Sequence, residues 1–259
     1  MFRVLPPFGS DQRGIAEVVN GIMNGKTNNT GTVTLATGNV TTTTITDARI
    51  GIDSIILLAP SSAAAFADTA PYGAFQSLVD QTIASTTTAY AMTLDTTDYT
   101  NGVYLSNSSR MNVRNAGIYN LQWSGQFENT DSQDHDVYVW LRKNGTNVVA
   151  STGLISVPSK HGAIDGHIIG GWNFFIELAA NDYIELYWSA DSTAVSLQFY
   201  AAGSSPTKPS TASLIATMQY VAPNGMDNVY ISSQTSGSAT LTHFSNNTAS
   251  KTYKYIIVG

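Results

Sequence analysis

The 259-residue chain contains no cysteine, which excludes disulfide bridges and thiolate metal sites and leaves the fold to packing and to association between chains. Charge is also scarce. Only 12% of residues are Asp, Glu, Lys or Arg, against roughly a quarter in ordinary globular proteins. The charges that are present sum to -6, so the clustered basic surface of a nucleic-acid binder is missing. No stretch approaches the roughly 18 apolar residues of a membrane span, and residues 1–10 hold no apolar run of signal-peptide length. Nucleic-acid binding, membrane insertion and ordinary secretion are therefore not expected. What is there is apolar enough for a core, at 42% hydrophobic residues, and long enough for one large or two small domains. Plentiful Gly, Thr, Ser and Asn suit a β-protein with a polar, weakly charged surface.

One helical pattern opens the chain. Ile15, Val18, Val19, Ile22 and Met23 recur at i, i+3, i+4, i+7 and i+8, with Asp11 placed as N-cap and Gly25 as stop. Ahead of it, Val4-Leu5-Pro6-Pro7-Phe8-Gly9 reads as extended chain. A lone helix of about three turns is marginal in water. Its stripe therefore either caps this chain's own β-core or, with Leu5 and Phe8, anchors on another protein.

From Thr32 onward the period changes to two. The alternation of residues 32–35, 41–46 and 54–60 returns at 229–233, 239–243 and 254–259. Neither set of about three strands makes a sandwich alone. The reading is an arm at 1–30, a discontinuous β base domain at 31–72 plus 227–259, and an inserted domain at 73–226. That insert holds all four tryptophans and about eight to ten short strands, the pattern of an antiparallel sandwich or jelly roll. Asn144-Gly145 marks a hairpin, residues 172–178 and 183–188 read as a second hairpin about Ala179-Ala180-Asn181-Asp182, and residues 203–210, with two prolines, read as a loop.

Three motifs in the insert carry a family resemblance. Ala116-Gly117-Ile118-Tyr119-Asn120-Leu121-Gln122-Trp123-Ser124, then Trp140-Leu141-Arg142-Lys143-Asn144-Gly145, then Leu178-Ala179-Ala180-Asn181-Asp182-Tyr183-Ile184-Glu185-Leu186 follow in the order expected of a C1q/TNF-like jelly roll. Asn181 stands where Gly is usual, a residue still suited to a left-handed turn. The flanks, Ala48-Arg49-Ile50-Gly51-Ile52-Asp53 through Pro60 and Tyr253-Lys254-Tyr255-Ile256-Ile257-Val258-Gly259, resemble small β-domains of phage virion proteins. The opening, Pro6-Pro7-Phe8-Gly9 through Lys26, is similar to N-termini of podovirus-type virion proteins. The resemblance implies an all-β fold, an antiparallel C1q/TNF-like jelly-roll sandwich inserted into a small β-sandwich base with one N-terminal amphipathic helix. It also implies a homotrimer in a bacteriophage virion.

Residues with catalytic or metal-binding chemistry are few. Among the four histidines none has the helical His-Glu spacing of a zinc protease, and the best cluster, His161, Asp165 and His167, sits in a Gly-bearing loop. Asp131, Asp134 and Asp136 lack the turn Gly and terminal Glu of a calcium loop and read as a solvated turn. No Gly-x-Ser-x-Gly elbow occurs. Glu177 and Glu185 flank one turn with no sign of a cleft, and Gly170-Gly171 leads into a strand instead of a helix. No enzyme activity, cofactor or metal is expected. Trp123, Trp140, Trp172, Tyr183 and Trp188 are assigned to the core or the trimer interface. His161, Asp165, His167 and Lys208 are the candidate ligand-loop residues.

The combined expectation is a structural appendage of a phage particle, attached through arm and base to other virion proteins and projecting a trimeric jelly roll. A tail-fibre role with host-surface binding, to a bacterial surface glycan, is preferred. A capsid decoration or head-fibre protein is the alternative, and a glycan-binding lectin-like module outside a virion is the more distant one.

Overall fold

Alternation of period two becomes sheet almost throughout the computed structural model, which describes residues 12–24, 28–66, 70–221, 229–247 and 250–259. Leu5, Phe8, Asp11 and Gly25 lie outside the described residues. The chain falls into two compact units, Met1–Asp68 with Asp227–Gly259, and Thr69–Met226. The first begins with α1 (Gln12–Met23), β1 (Thr30–Thr34), β2 (Val40–Thr46), β3 (Ile55–Pro60) and the short α2 (Ala63–Phe66). The second holds β4 (Tyr72–Ser77), β5 (Gln81–Thr82), β6 (Tyr90–Ala91), β7 (Thr96–Asn101), β8 (Val103–Ser106), β9 (Arg110–Val113), β10 (Gly117–Asn129), β11 (His135–Lys143) and β12 (Thr146–Asn147). It continues with β13 (Gly153–Val157), β14 (Gly166–Leu178), β15 (Tyr183–Ala190), β16 (Val195–Leu197), β17 (Gly203–Ser204), β18 (Thr207–Lys208) and β19 (Leu214–Tyr220). The first unit then closes with β20 (Val229–Thr235), β21 (Ser238–Asn246) and β22 (Thr252–Val258).

In the first unit, strands from the two ends of the chain interleave. The last strand, β22, lies between β1 and β3, and β21 lies between β2 and β20, all antiparallel. Alternation sends Val33, Leu35, Ile45, Leu241, Tyr253, Tyr255 and Ile257 into one core and turns Thr42, Thr44 and Thr46 outward. A polar clamp ties the end of β2 to β1 and β22. Arg49 donates through Nε to Asp47 Oδ1 at 2.8 Å and through Nη2 to the Thr30 carbonyl at 3.1 Å, while the Tyr255 hydroxyl donates to Asp47 Oδ2 at 2.8 Å. The Arg49 side chain holds the Asp47 carboxyl well below the usual carboxylate range, against the opposing effect of burial. Asp47→Ala is expected to lower stability by about 1–3 kcal/mol, because Tyr255 and Arg49 lose a charged acceptor. A thermal melt reads the loss. Since the native pKa is depressed, this stabilisation is present above the ordinary value of 3.8 and disappears as pH falls through the lowered native value.

The helix α1 forms where the spacing places it, but its stripe does not pack on the chain's own core. Ile15, Val19, Ile22 and Met23 are exposed and Val18 is half-buried, whereas Gly14 is buried.

The second unit is two antiparallel sheets sharing one core. In one, β14 runs the full length of one edge of β10, and β19 and β16 divide the other edge; β4 pairs with β19, β5 with β16 and β7 with β4. In the other, β13 and β12 divide one edge of β11, β15 takes the other, β9 and β6 follow on β15, and β8 pairs with β9. The inward residues Phe75, Tyr119, Leu121, Trp123 and Phe127 of the first meet Val137, Val139, Leu141, Leu186 and Trp188 of the second. The Asn144-Gly145 turn joins β11 to β12 with φ of 49° and 81°, the left-handed pair that such a hairpin needs.

The turn at residues 179–182 is not a hairpin. Its strands enter different sheets, β14 beside β10 and β15 beside β11, so the segment is a corner between layers. Asp182 fixes that corner by accepting the Ala179 amide at 2.8 Å and the Asn144 side-chain amide at 2.6 Å, with Lys143 Nζ at 2.9 Å. Residues 203–210 also differ from a plain loop: β17 and β18 form a small hairpin in which Gly203 faces Lys208.

Candidate functional site

The outer faces of the two sheets in the second unit are chemically unlike. On β10 the odd positions from Tyr119 to Asn129 point inward, which turns Ile118, Asn120, Gln122, Ser124 and Gln126 outward. Register extends this face sideways. Phe175 lies opposite Asn120, Gln219 follows on β19 and Tyr72 on β4; one row along, Asn173, Gln122, Thr217 and Ala74 align. Phe175 and Ile169 are each 64% exposed, Tyr99 68% and Ile215 44%. On this face charges sit at the ends of the β10–β14 pair, Glu177 at one and Glu128 with His167 at the other, and on β7, where Asp98 accepts from the Gln76 side-chain amide at 2.8 Å. The surface between them is neutral amides and hydroxyls studded with apolar side chains, which costs little to desolvate.

The opposite outer face is rich in cation–ring pairs. The guanidinium of Arg110 lies 4.4 Å from the Tyr183 ring, that of Arg142 lies 4.3 Å from Tyr187, and that of Arg114 lies 4.4 Å from Tyr104. Trp140 packs beside Tyr187 and donates its indole N–H to Asn147 Oδ1 at 3.0 Å. Buried Glu185 accepts from Ser109 Oγ at 2.7 Å and Arg110 Nε at 3.4 Å. Tyr104, Tyr183 and Tyr187 on this face thus each have a cation against them, whereas Tyr138 of β11 and Leu154 opposite it on β13 stay exposed at 42% and 59%.

The five aromatics singled out from sequence thus divide. Trp123 and Trp188 are core, and Trp172 is half-buried, edge-on to Trp123 at 4.6 Å. Trp140 and Tyr183 belong to the cation-covered face. None of the five lies on the neutral face, whose exposed members Phe175, Ile169 and Ile215 were not distinguished in the sequence, because alternation alone does not say which face of a strand a partner covers.

The loop candidates do not converge. The His161 and Ile164 backbones bond each other, while His167 takes other partners than His161 and Asp165. His167 instead meets Tyr200 and Glu128, two residues that sequence reasoning missed. The Tyr200 hydroxyl donates to Glu128 Oε2 at 2.5 Å and lies 3.1 Å from His167 Nδ1. Burial, then the Glu128 bond and charge, push the Tyr200 phenol well up. Lys208 stands exposed on β18. Glu177 and Glu185 belong to different sheets, so they form no facing carboxylate pair. Among the described residues no group of three or more His, Asp or Glu is arranged to hold a metal ion.

The acidic run is spent on structure. Asp134 accepts the Ser159 amide at 2.7 Å, and Asp131 and Asp191 grip His135 from both ring nitrogens at 3.0 and 2.9 Å. Burial opposes protonation of His135, but the two carboxylates outweigh it and raise its pKa above 6.5. The stabilisation from a raised pKa is complete below 6.5 and is lost as pH rises through the native value. His135→Gln is expected to flatten the fall of Tm with pH across that window. A slope unchanged from the parent protein shows that His135 is not its source.

No protein-family model matches the chain, and comparison with curated proteins gives no match.

Proposed function

We propose that this chain is a structural appendage protein of a bacteriophage particle, a homotrimer whose subunits meet through the neutral outer face of the β14–β10–β19–β4 sheet. The observation that carries the assembly is that face: exposed Phe175, Ile169 and Ile215 among uncharged amides, opposite a second face on which Tyr104, Tyr183 and Tyr187 each lie under a guanidinium. A closed threefold ring buries such a patch in every copy. The jelly-roll reading is supported by the way the chain from β9 to β19 passes repeatedly between two antiparallel sheets. The particle assignment rests on the resemblance of the insert and flanks to phage virion proteins. Attachment is through the base unit and the segment ahead of it, with host-surface recognition on the projecting unit and a position on the tail. Light scattering after size exclusion tests the assembly, with a mass near three chains expected; a monomer at micromolar concentration overturns it. Immunogold labelling of virions tests the position: label on the tail supports it, and label on the capsid replaces it with a decoration role.

A further inference from the structure

We propose that the apolar stripe of α1 seats on the outer face of the β1–β22–β3 sheet of a second copy of this chain. That sheet face is apolar along β3 and the end of β22, and lined by Thr30, Thr32 and Thr34 along β1. Ile55 lies opposite Val258 and Leu57 opposite Ile256, and all four point outward, at 61%, 48%, 57% and 42% exposure. Beside them a shallow groove of about 570 Å³ runs from Thr30 and Thr32 across Lys254 and Ile256 to Leu57 and Ala59. Lys254 is the single charged side chain of these three strands among the described residues.

The helix has the matching shape. Twelve residues make a rod of about 18 Å long and 10 Å wide, and six or seven strand residues span roughly 20–23 Å, with three strands about 10 Å across. At 3.6 residues per turn, Ile15, Val18, Val19 and Ile22 fall on one side, and Arg13, Glu17 and Asn20 on the other. Arg13 and Glu17 pair with each other at 3.4 Å, so the polar back remains in water when the stripe is seated. Among the described residues both surfaces stay open within one chain, Ile22 at 58% and Leu57 at 57% exposure. The chain's own helix therefore does not fill its own groove, and the complementary helix is that of a neighbour.

A footprint of about 18 by 10 Å is far below the roughly 800 Å² per partner of a stable complex. The seat therefore clasps copies already held together, where effective concentration favours it, and in this respect it rests on the trimer proposed above. Absence of cysteine makes the test clean. Two full-length variants, Ile22→Cys and Leu57→Cys, carrying different tags, are co-expressed and treated with a short bis-maleimide. A covalent dimer bearing both tags is expected, with at least a tenfold weaker product when Glu17→Cys, on the polar back, replaces Ile22→Cys. Lack of a mixed dimer, equal yield from Glu17→Cys, or a link formed only within one chain of the Ile22→Cys/Leu57→Cys double variant overturns the proposal. Light scattering on the untreated protein separately reports the trimer. A three-chain mass without the mixed dimer removes only the helix seat, and a single-chain mass removes the assembly as well.

Discussion

Trp188→Ala is expected to cost about 3–5 kcal/mol, the largest loss from any single truncation in the second unit. Trp188 is 1% exposed and is among the largest fully buried side chains. It lies opposite Val139 on β11 and Tyr90 on β6, and its ring centroid is 6.0 Å from that of Phe127 across the core. The indole thus bridges both sheets, and strands of two sheets collapse poorly around the space it leaves. In a unit of this size the loss corresponds to a fall in Tm of roughly 6–20 °C. Val149→Ser is the control. Val149 is 92% exposed, and its change is expected to stay within about 0.5 kcal/mol. A Trp188→Ala melt as high as the control contradicts the two-sheet core.

The second large effect is on assembly. Phe175→Asp with Ile215→Asp is expected to convert a three-chain particle into single chains while leaving the fold intact. Both side chains point away from the core, Phe175 at 64% and Ile215 at 44% exposure, so the carboxylates are solvated in a free subunit. In the closed ring they are buried without a partner, at a cost of several kcal/mol per copy, and the copies repel one another. Mass by light scattering and β-sheet circular dichroism are read on the same sample. A trimer that survives both substitutions places the interface elsewhere. A chain that unfolds assigns these residues to the subunit's own stability.

Only part of the candidate site was legible beforehand. Alternation told which residues of β10 share a face, since successive side chains on a strand point to opposite sides. It could not tell that β14 covers one edge of β10 while β19 and β16 divide the other. The neutral face is assembled from four strands distant in the chain, and no local pattern records that Phe175, Asn120, Gln219 and Tyr72 form one row. Glu128 and Tyr200 were invisible for the same reason, being 72 residues apart until β10 and the segment after β16 bring them into hydrogen-bond range.

The corner at residues 179–182 marks the boundary between the two kinds of information. The sequence determined a turn there, through Asn181 at a φ of 70° and the capping carboxylate of Asp182. It likewise determined the left-handed Asn144-Gly145 hairpin, the helical stripe of α1, and strands wherever apolar and polar residues alternate. These are local properties, fixed by backbone sterics and by the period of the side chains. Tertiary structure alone decided that the 179–182 turn leads from one sheet to the other, that β22 is a central strand and not an edge, and that Trp188 is core while Trp140 lies under no second sheet. Pairing partners are chosen by which strand edges and apolar faces remain open once the rest of the chain has packed, and that choice belongs to the whole molecule.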